Sequence, residues 1–389
     1  MDIDAIRAQI PALRDMTYLN TGWSGPSPTR VVDATVERLR YESFSGPTTA
    51  EVLDTGKEIT ADTRQAVARL LNASSDEVLL TQNTTDGLNI VMNGLPWQPS
   101  DEVITCDLEH VAIIAPLLLA QRQKDIKVVC LTITPNESPA AILTKMEGAI
   151  NERTRMVFLS HVEYSSGLRM PAKEIRQLTE ARNLWFMLDG AQAAGNIAVD
   201  VKEIGCDFYS IPSQKWLLGP DGIGALYMRR DLIPTVATHT VGYEAIETFD
   251  YPTGHGFKTD AVERFITGTT SVPLQAGLLA AIRFVNEIGV DRIEGRNKML
   301  ASLLKSRLAD IRGVGILSPT DDEQSSGLVT FMVDGIEPTE VVARLWTQDR
   351  ILVRDVAYPP SVRVSLHFFN TENEVEQVTE AIRGLIKAR

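Results

Sequence analysis

Between about Ser74 and Arg229 the chain alternates short apolar runs with amphipathic stretches, and this alternation constrains the fold more than any other feature. The runs are Glu77–Thr81, Glu102–Thr105, Lys127–Ile133, Arg155–Ser160, Trp185–Asp189, Phe208–Ile211 and Gly224–Met228. Most are continuously apolar, the pattern of strands buried on both faces. Helical periodicity lies between several of them, at Thr84–Asn93, Glu109–Gln123, Ser138–Ile150 and Ala172–Arg182. Strand–helix–strand order predicts an α/β fold: a mostly parallel seven-stranded sheet wound with helices. The last two runs share only a Gly/Pro-rich connection, which suits an antiparallel return.

The flanks read differently. Before Ser74 come the Gly/Pro-rich segment TYLNTGWSGPSP and two helices, Thr29–Phe44 and Gly56–Leu71. After about Pro273 a long helical stretch runs to Ile311 with a break near Gly289. Then follow strand-like Gly327–Val333, a helix over Pro338–Gln348, strand-like Ile351–Arg354 and Ser361–Leu366, and a helix over Glu372–Lys387. We therefore expect a large domain over 21–270 and a small C-terminal α+β domain over 271–389, with 1–20 joining the latter. A chain of 389 residues is long enough for two such cores.

A net charge of −13 argues against a nucleic-acid or anionic-membrane partner. The three cysteines, Cys106, Cys130 and Cys206, have neither disulfide-framework nor zinc spacing, so buried thiols and no metal are expected. MDIDAIRAQIP lacks a signal-peptide core, and no stretch approaches the length of a membrane span, so a cytoplasmic location is expected.

Three segments carry chemistry. In LWFMLDGAQ the apolar run ends at Asp189, where a carboxylate can point into the ligand crevice of a parallel sheet or cap the next helix. In SIPSQKWLLGPDG, 26 positions later, Lys215 lies among Trp and Leu; desolvation would make it a usable amine nucleophile, and a snorkelling surface lysine is the plainer reading. In TQNTTDGLN, Thr84 and Thr85 open a helix after a strand, as a phosphate cradle or an ordinary cap does. Amine, acid and cradle together are the requirements of pyridoxal 5'-phosphate (PLP).

The ordered series TT-x-G, EH, SH, D-x-A-Q, S-x-K-W-x-x-GP, GT and R-x-S-x-x-x-x-NT resembles the class V aminotransferases among the fold-type I PLP enzymes, from Tyr18 to Thr371. The resemblance implies PLP held covalently on Lys215, which would also move the substrate α-proton. It places Asp189 against the ring nitrogen, Gln192 at the phenolic oxygen, and His110 stacked on the ring. Thr84, Thr85, Ser213 and Gln214 would serve the phosphate, and Thr269 that of a neighbouring subunit in a homodimer. Arg363 would clamp the substrate carboxylate, with Asn20 and Arg354 nearby; His161 would lie close to the cofactor. Catalytic roles fall to Lys215, His110 and Asp189.

Three departures refine this. Gln214 stands where the family commonly has His. Glu163-Tyr164-Ser165-Ser166-Gly167 replaces the family's SN-x-x-G. The loop ILVRDVAYPPSVR holds no cysteine, whereas desulfurases carry a sulfur-accepting cysteine in this region. The expected activity is therefore C–S lysis of cysteine- or cystine-like amino acids through an α-carbanion. The alternatives are a PLP epimerase or aminotransferase, and, from another class, a non-catalytic binding protein on this fold. Specificity loops are expected at Gly22–Pro28, Thr240–Lys258 and Asp355–Ser361, with Trp23, Tyr243, Tyr251, Phe257 and Tyr358 as pocket candidates.

Overall fold

A computed structural model describes residues 1–250 and 254–387. The seven expected runs form one sheet: β1 Val78–Thr81, β2 Glu102–Cys106, β3 Lys127–Leu131, β4 Thr154–Ser160, β5 Trp185–Asp189, β6 Phe208–Pro212 and β7 Gly224–Met228. Their spatial order is β1-β7-β6-β5-β4-β2-β3. β7 is antiparallel to both its neighbours and the remaining pairs are parallel, so the return between the last two runs is antiparallel as expected.

Apolar side chains fill both faces of this sheet. One face packs on Ala68, Leu71, Ile142, Met146, Ile175 and Ile282, the other on Leu88, Val91, Met92, Ile113 and Leu117. The result is a helix–sheet–helix sandwich whose strands are covered on both sides, which explains their unbroken apolarity.

Local differences from the sequence reading have local causes. The second N-terminal helix runs over Ala50–Leu71 and not from Gly56. Gly56 lies buried inside it because a Cβ there would come within 3.0 Å of the Arg38 guanidinium. The helix expected from Glu109 begins at Val111: His110 is its N-cap, and Glu109 turns into the interior. β3 stops at Leu131, since the Ile133 N–H leaves the ladder to donate to Asp107. A short strand, Val314–Ile316, was not foreseen, and its three residues carry too little pattern to stand out.

The second sheet contains β8 Val314–Ile316, β9 Leu328–Val333, β10 Arg354–Val356 and β11 Ser361–Ser365, antiparallel in the order β8-β9-β11-β10. Helices Val290–Ala309, Pro338–Asp349 and Glu372–Lys387 close its core around Leu304, Phe331, Val341 and Val378. Thr17–Tyr18 pairs in parallel with Ile351–Leu352, and Leu19 lies in this second core. The helix Val272–Ile288 packs instead on Thr29–Ser45 and Ala50–Leu71. We propose that the second unit begins near Gly289 and not at 271, because Leu278, Ile282 and Val285 belong to the first core. Among the described residues no helix is long and apolar enough to cross a membrane.

The helix Thr84–Gly94 approaches the sheet closely at Gly87, where a Cβ would lie 2.4 Å from Ser210 Oγ. Gly87→Ala should lower stability by about 1–3 kcal/mol in urea unfolding. Adding Ser210→Ala should restore part of the loss, because the clash is with that side chain.

Candidate active site

Parallel strands end on a common edge, and the candidate residues gather there. A cavity of about 720 Å³ is lined by Thr84, Thr85, His110, Asp189, Gln192, Gln214, Lys215, Arg354 and Arg363, together with Trp23 and Tyr164. Asp189 ends β5 and Lys215 lies in the turn after β6. Thr84 and Thr85 open a helix, and Arg354 and Arg363 come from β10 and β11 of the second sheet. The cavity is therefore built between the two sheets.

Its charges are arranged unusually. Arg354 and Arg363 are directly opposed across the β10–β11 ladder, a placement that repels. Arg363 is fully buried; Nη1 donates to the Tyr164 carbonyl at 2.8 Å, whereas Nε and Nη2 have no partner. Burial, with Arg354 adding to it, pushes Arg363 down to about 9. Arg354 stacks on Trp23, 4.3 Å from the ring centroid. Two adjacent guanidiniums with free donors form a receptor for a planar anion.

Lys215 is half-buried. Burial pushes its amine down to about 8; Asp189 opposes this, and Arg363 and Arg354 reinforce it. Its free-base form is thus accessible near neutral pH. Asp189 is buried and accepts the Ala191 N–H at 2.7 Å. Burial raises its pKa and the charge of Lys215 pulls it back. His110 caps its helix through Nδ1, which accepts the Ala112 N–H at 3.1 Å. Burial, then Lys215, Arg354 and Arg363, push it down to about 4, so its ring is neutral. It meets Tyr164 edge-on, centroids 4.9 Å apart.

Gln192 is anchored twice: Nε2 donates to the Gly22 carbonyl at 2.8 Å, and Oε1 accepts the Trp216 indole N–H at 2.9 Å. Thr84 Oγ1, Ser213 Oγ and Gln214 Oε1 are buried without hydrogen-bond partners. Buried polar atoms ordinarily find partners, and the two hydroxyls can donate, so beside a helix N-terminus they suit a phosphate.

Not every expected residue lines the cavity. Ser213 lies just behind it, buried, where a Cβ on Gly219 would overlap its hydroxyl at 2.0 Å. Asn20 bridges to Ser365, its Oδ1 buried and unpartnered. Thr269 lies in an adjacent depression with Asp86, Asn89 and His239. His161 is buried below, its Nδ1 2.8 Å from the Tyr209 hydroxyl. Of the aromatic candidates Trp23 lines the cavity; Tyr243, Phe257 and Tyr358 are exposed elsewhere, and Tyr251 lies outside the described residues.

An acid pair escaped the sequence reading. Glu109 and Glu163 are buried with Cys106, their ligand atoms all within 4.8 Å of one another. Ser160, paired with Asp189 across β4–β5, gives Glu109 its backbone N–H at 2.8 Å and its hydroxyl at 2.6 Å. Those donors stabilise Glu109 as the anion. Glu163 has an unpartnered Oε2, and burial beside Glu109 pushes its pKa well up, so it holds the proton. The segment read as merely lacking a family asparagine thus supplies a buried carboxyl. Its signal was an acidic residue three positions past the end of the apolar strand Thr154–Ser160.

The chain is similar to known proteins over almost its whole length. The family model described as aminotransferase class-V matches residues 17–378. A probable cysteine desulfurase of Methanothermobacter thermautotrophicus is 29% identical, with 99% of this chain and 98% of the relative covered. An isopenicillin N epimerase of Streptomyces clavuligerus is 28% identical, covering 94% of each. Among solved structures, the cystine C–S lyase C-DES in complex with its product cysteine persulfide superposes with a TM-score of 0.91 at 28% identity, covering 96% of this chain and 99% of that one. A C-DES mutant with glycine covalently linked to the PLP cofactor gives 0.92 at 28% identity, covering 97% and 98%. The cysteine desulfurase CsdA of Escherichia coli gives 0.90 at 25%, covering 100% and 99%.

The acid pair predicts a pH signature. Both carboxyls titrate above their ordinary values, Glu109 at about 7, so folding takes up protons between the ordinary carboxylate range and neutrality. Their contribution is full below the unfolded values and is lost as pH rises through the folded ones. Glu163→Gln should flatten the fall in melting temperature between pH 5 and 8, measured on the cofactor-free protein. An unchanged slope would sink the assignment of the proton to Glu163.

Proposed function

The chain belongs to the class-V aminotransferase family, and from that premise we propose that it is a PLP-dependent C–S lyase acting on cysteine- or cystine-like amino acids. The site fits the cofactor: a half-buried amine of lowered pKa, a buried acid, and orphaned hydroxyls at a helix N-terminus lie around one cavity. When bound, PLP supplies an electron-accepting ring that stabilises negative charge at the substrate α-carbon. Lys215 would hold the cofactor and its amine would carry the α-proton. Asp189, whose anion is favoured by Lys215 and the Ala191 N–H against the effect of burial, would pair with the ring nitrogen. Neutral His110, lining the cavity, would stack on the ring. Thr84, Thr85, Ser213 and Gln214 would hold the phosphate, and Gln192, held by Gly22 and Trp216, would offer its remaining N–H to the phenolic oxygen. Arg363, with Arg354 beside it and Asn20 close by, takes the α-carboxylate on Nε and Nη2.

The observation that favours lysis over desulfuration is the cysteine-free edge of the cavity. The β10–β11 connection contains none, Cys106 and Cys206 are buried, and Cys130 lies on the outermost strand β3. None of the three lines the cavity. With no thiol to accept sulfur, the C–S bond breaks by release of thiolate or persulfide, and water converts the three-carbon remainder to pyruvate and ammonia.

Epimerisation is the second reading, supported by the epimerase of Streptomyces clavuligerus at similar identity. Both reactions begin with loss of the α-proton and diverge afterwards. A homodimer and a cytoplasmic location belong to the proposal as well. Thr269, in a depression that shares Asp86 and Asn89 with the cavity, supports a neighbouring subunit there.

Cystine, cysteine and their sulfoxides should yield pyruvate in a coupled assay; no pyruvate from any of them sinks the lyase. Deuterium entering the α-carbon without pyruvate would favour the epimerase. Lys215→Ala should abolish both pyruvate formation and the visible band of lysine-bound PLP. Arg363→Lys, which loses the fork, should raise KM by ~10- to 100-fold in steady-state assays.

A further inference from the structure

Behind Lys215 lies a closed circuit of buried hydrogen bonds, one of which, from Trp216 to Gln192, also anchors Gln192 at the cavity. His367 Nε2 is 2.9 Å from the carbonyl oxygen of Trp216, the residue after Lys215. A carbonyl only accepts, so Nε2 carries the proton and Nδ1 is the bare acceptor. Asn297 Nδ2 stands 3.3 Å from that Nδ1 and donates to Asn196 Oδ1 at 2.9 Å. Asn196 Nδ2 donates to the Gln192 carbonyl at 2.9 Å, and the Trp216 indole N–H returns to Gln192 Oε1 at 2.9 Å. All five residues are buried. Burial pushes the His367 ring down to about 3, so it is neutral and its tautomer is fixed.

The circuit joins four places that matter to the chemistry. Gln192 follows Asp189 and contacts the Gly22 carbonyl; Trp216 follows Lys215; Asn297 is on the helix Val290–Ala309; His367 follows β11 four residues after Arg363. The packing leaves no slack. A Cβ on Gly195 would lie 2.6 Å from the Trp216 carbonyl oxygen, and one on Gly327 would lie 2.9 Å from both Asn196 Oδ1 and the Trp216 ring. The Gly327 N–H also donates to Asn196 Oδ1 at 3.2 Å, tying in the start of β9.

We propose that His367 is a positioning residue: through the Trp216 carbonyl it fixes where the Lys215 amine stands relative to the Arg363 guanidinium. The substrate carboxylate is held from the second sheet and its α-proton is taken from the first. The two anchors sit on different units; the Arg363–Tyr164 bond ties the carboxylate side to the first unit, and this circuit ties the lysine turn to the second. A small error in their separation costs proton transfer far more than it costs binding. The inference rests on the reading of Lys215 as the cofactor-bearing amine.

The test uses the cofactor-loaded full chain with His367→Leu, which removes the donor, and His367→Gln, whose amide can restore it. The pH midpoint of the visible absorbance of lysine-bound PLP should move by about half a unit or more in the Leu variant and return toward the parent in the Gln variant. kcat should fall by ~10-fold or more in the Leu variant, with KM within about threefold. Val375→Ala, which loosens the second core, should move neither. If His367→Leu does not fold, Asn297→Ala opens the circuit on the side away from the lysine and should give the same absorbance shift. An unmoved midpoint, or the same shift in Val375→Ala, overturns the positioning role. Absence of the absorbance band from the parent protein would overturn instead the reading of Lys215.

Discussion

The site depends on strand direction. β1 through β6 run the same way, so Thr81, Cys106, Ser160, Asp189 and Pro212 finish on one edge. Each turn at or beside the cavity begins within three residues of such an end: Thr84 after β1, Glu109 after β2, Lys215 after β6. A polar backbone leaving a sheet covered on both faces has no sheet partner, and its groups turn to caps or ligands. That is why Asn83 and His110 cap their helices while Thr84 Oγ1 is left for something else.

Charge is divided across the cavity. The sheet edge contributes Asp189 and, one layer further in, Glu109 and Glu163; the second sheet contributes Arg354 and Arg363. Lys215 lies between them and feels both, as the opposing effects of Asp189 and the two arginines on its amine indicate. Neither side is neutralised locally. Opposed guanidiniums and paired carboxyls cost stability, and chains keep such arrangements where a ligand supplies the missing charge. In the proposed reading, an amino acid bound to a phosphorylated cofactor would bring a carboxylate to one side and a ring nitrogen to the other.

Much of this could be read from the sequence because it lies at the ends of patterned elements. Asp189 closes an apolar run and Lys215 follows one; the helix Glu372–Lys387 has the expected bounds. What could not be read depends on register and tertiary approach. The opposition of Arg354 and Arg363 follows from the pairing of β10 with β11, and sequence spacing alone permits other alignments. Glu163 stood out only as part of a segment lacking a family asparagine, because its environment is made by Cys106 and Glu109, some fifty residues earlier. The His367 circuit spans 151 residues between one pair of partners and 70 between another, and no local pattern announces it.

The placement of Gln214 follows from the same geometry. A histidine before the lysine could add a positive charge next to Lys215, where Arg354 and Arg363 already depress its pKa. A glutamine contributes hydrogen-bonding capacity without charge. Its Oε1 is buried and unpartnered, while its backbone carbonyl receives the Gly25 N–H and so pins the opening loop against the lysine turn. Gly25 has no room for a side chain there, since a Cβ would meet the Lys215 carbonyl oxygen at 2.4 Å. The neutral residue therefore leaves the electrostatics of Lys215 to Asp189 and the arginine pair, and its backbone serves the geometry.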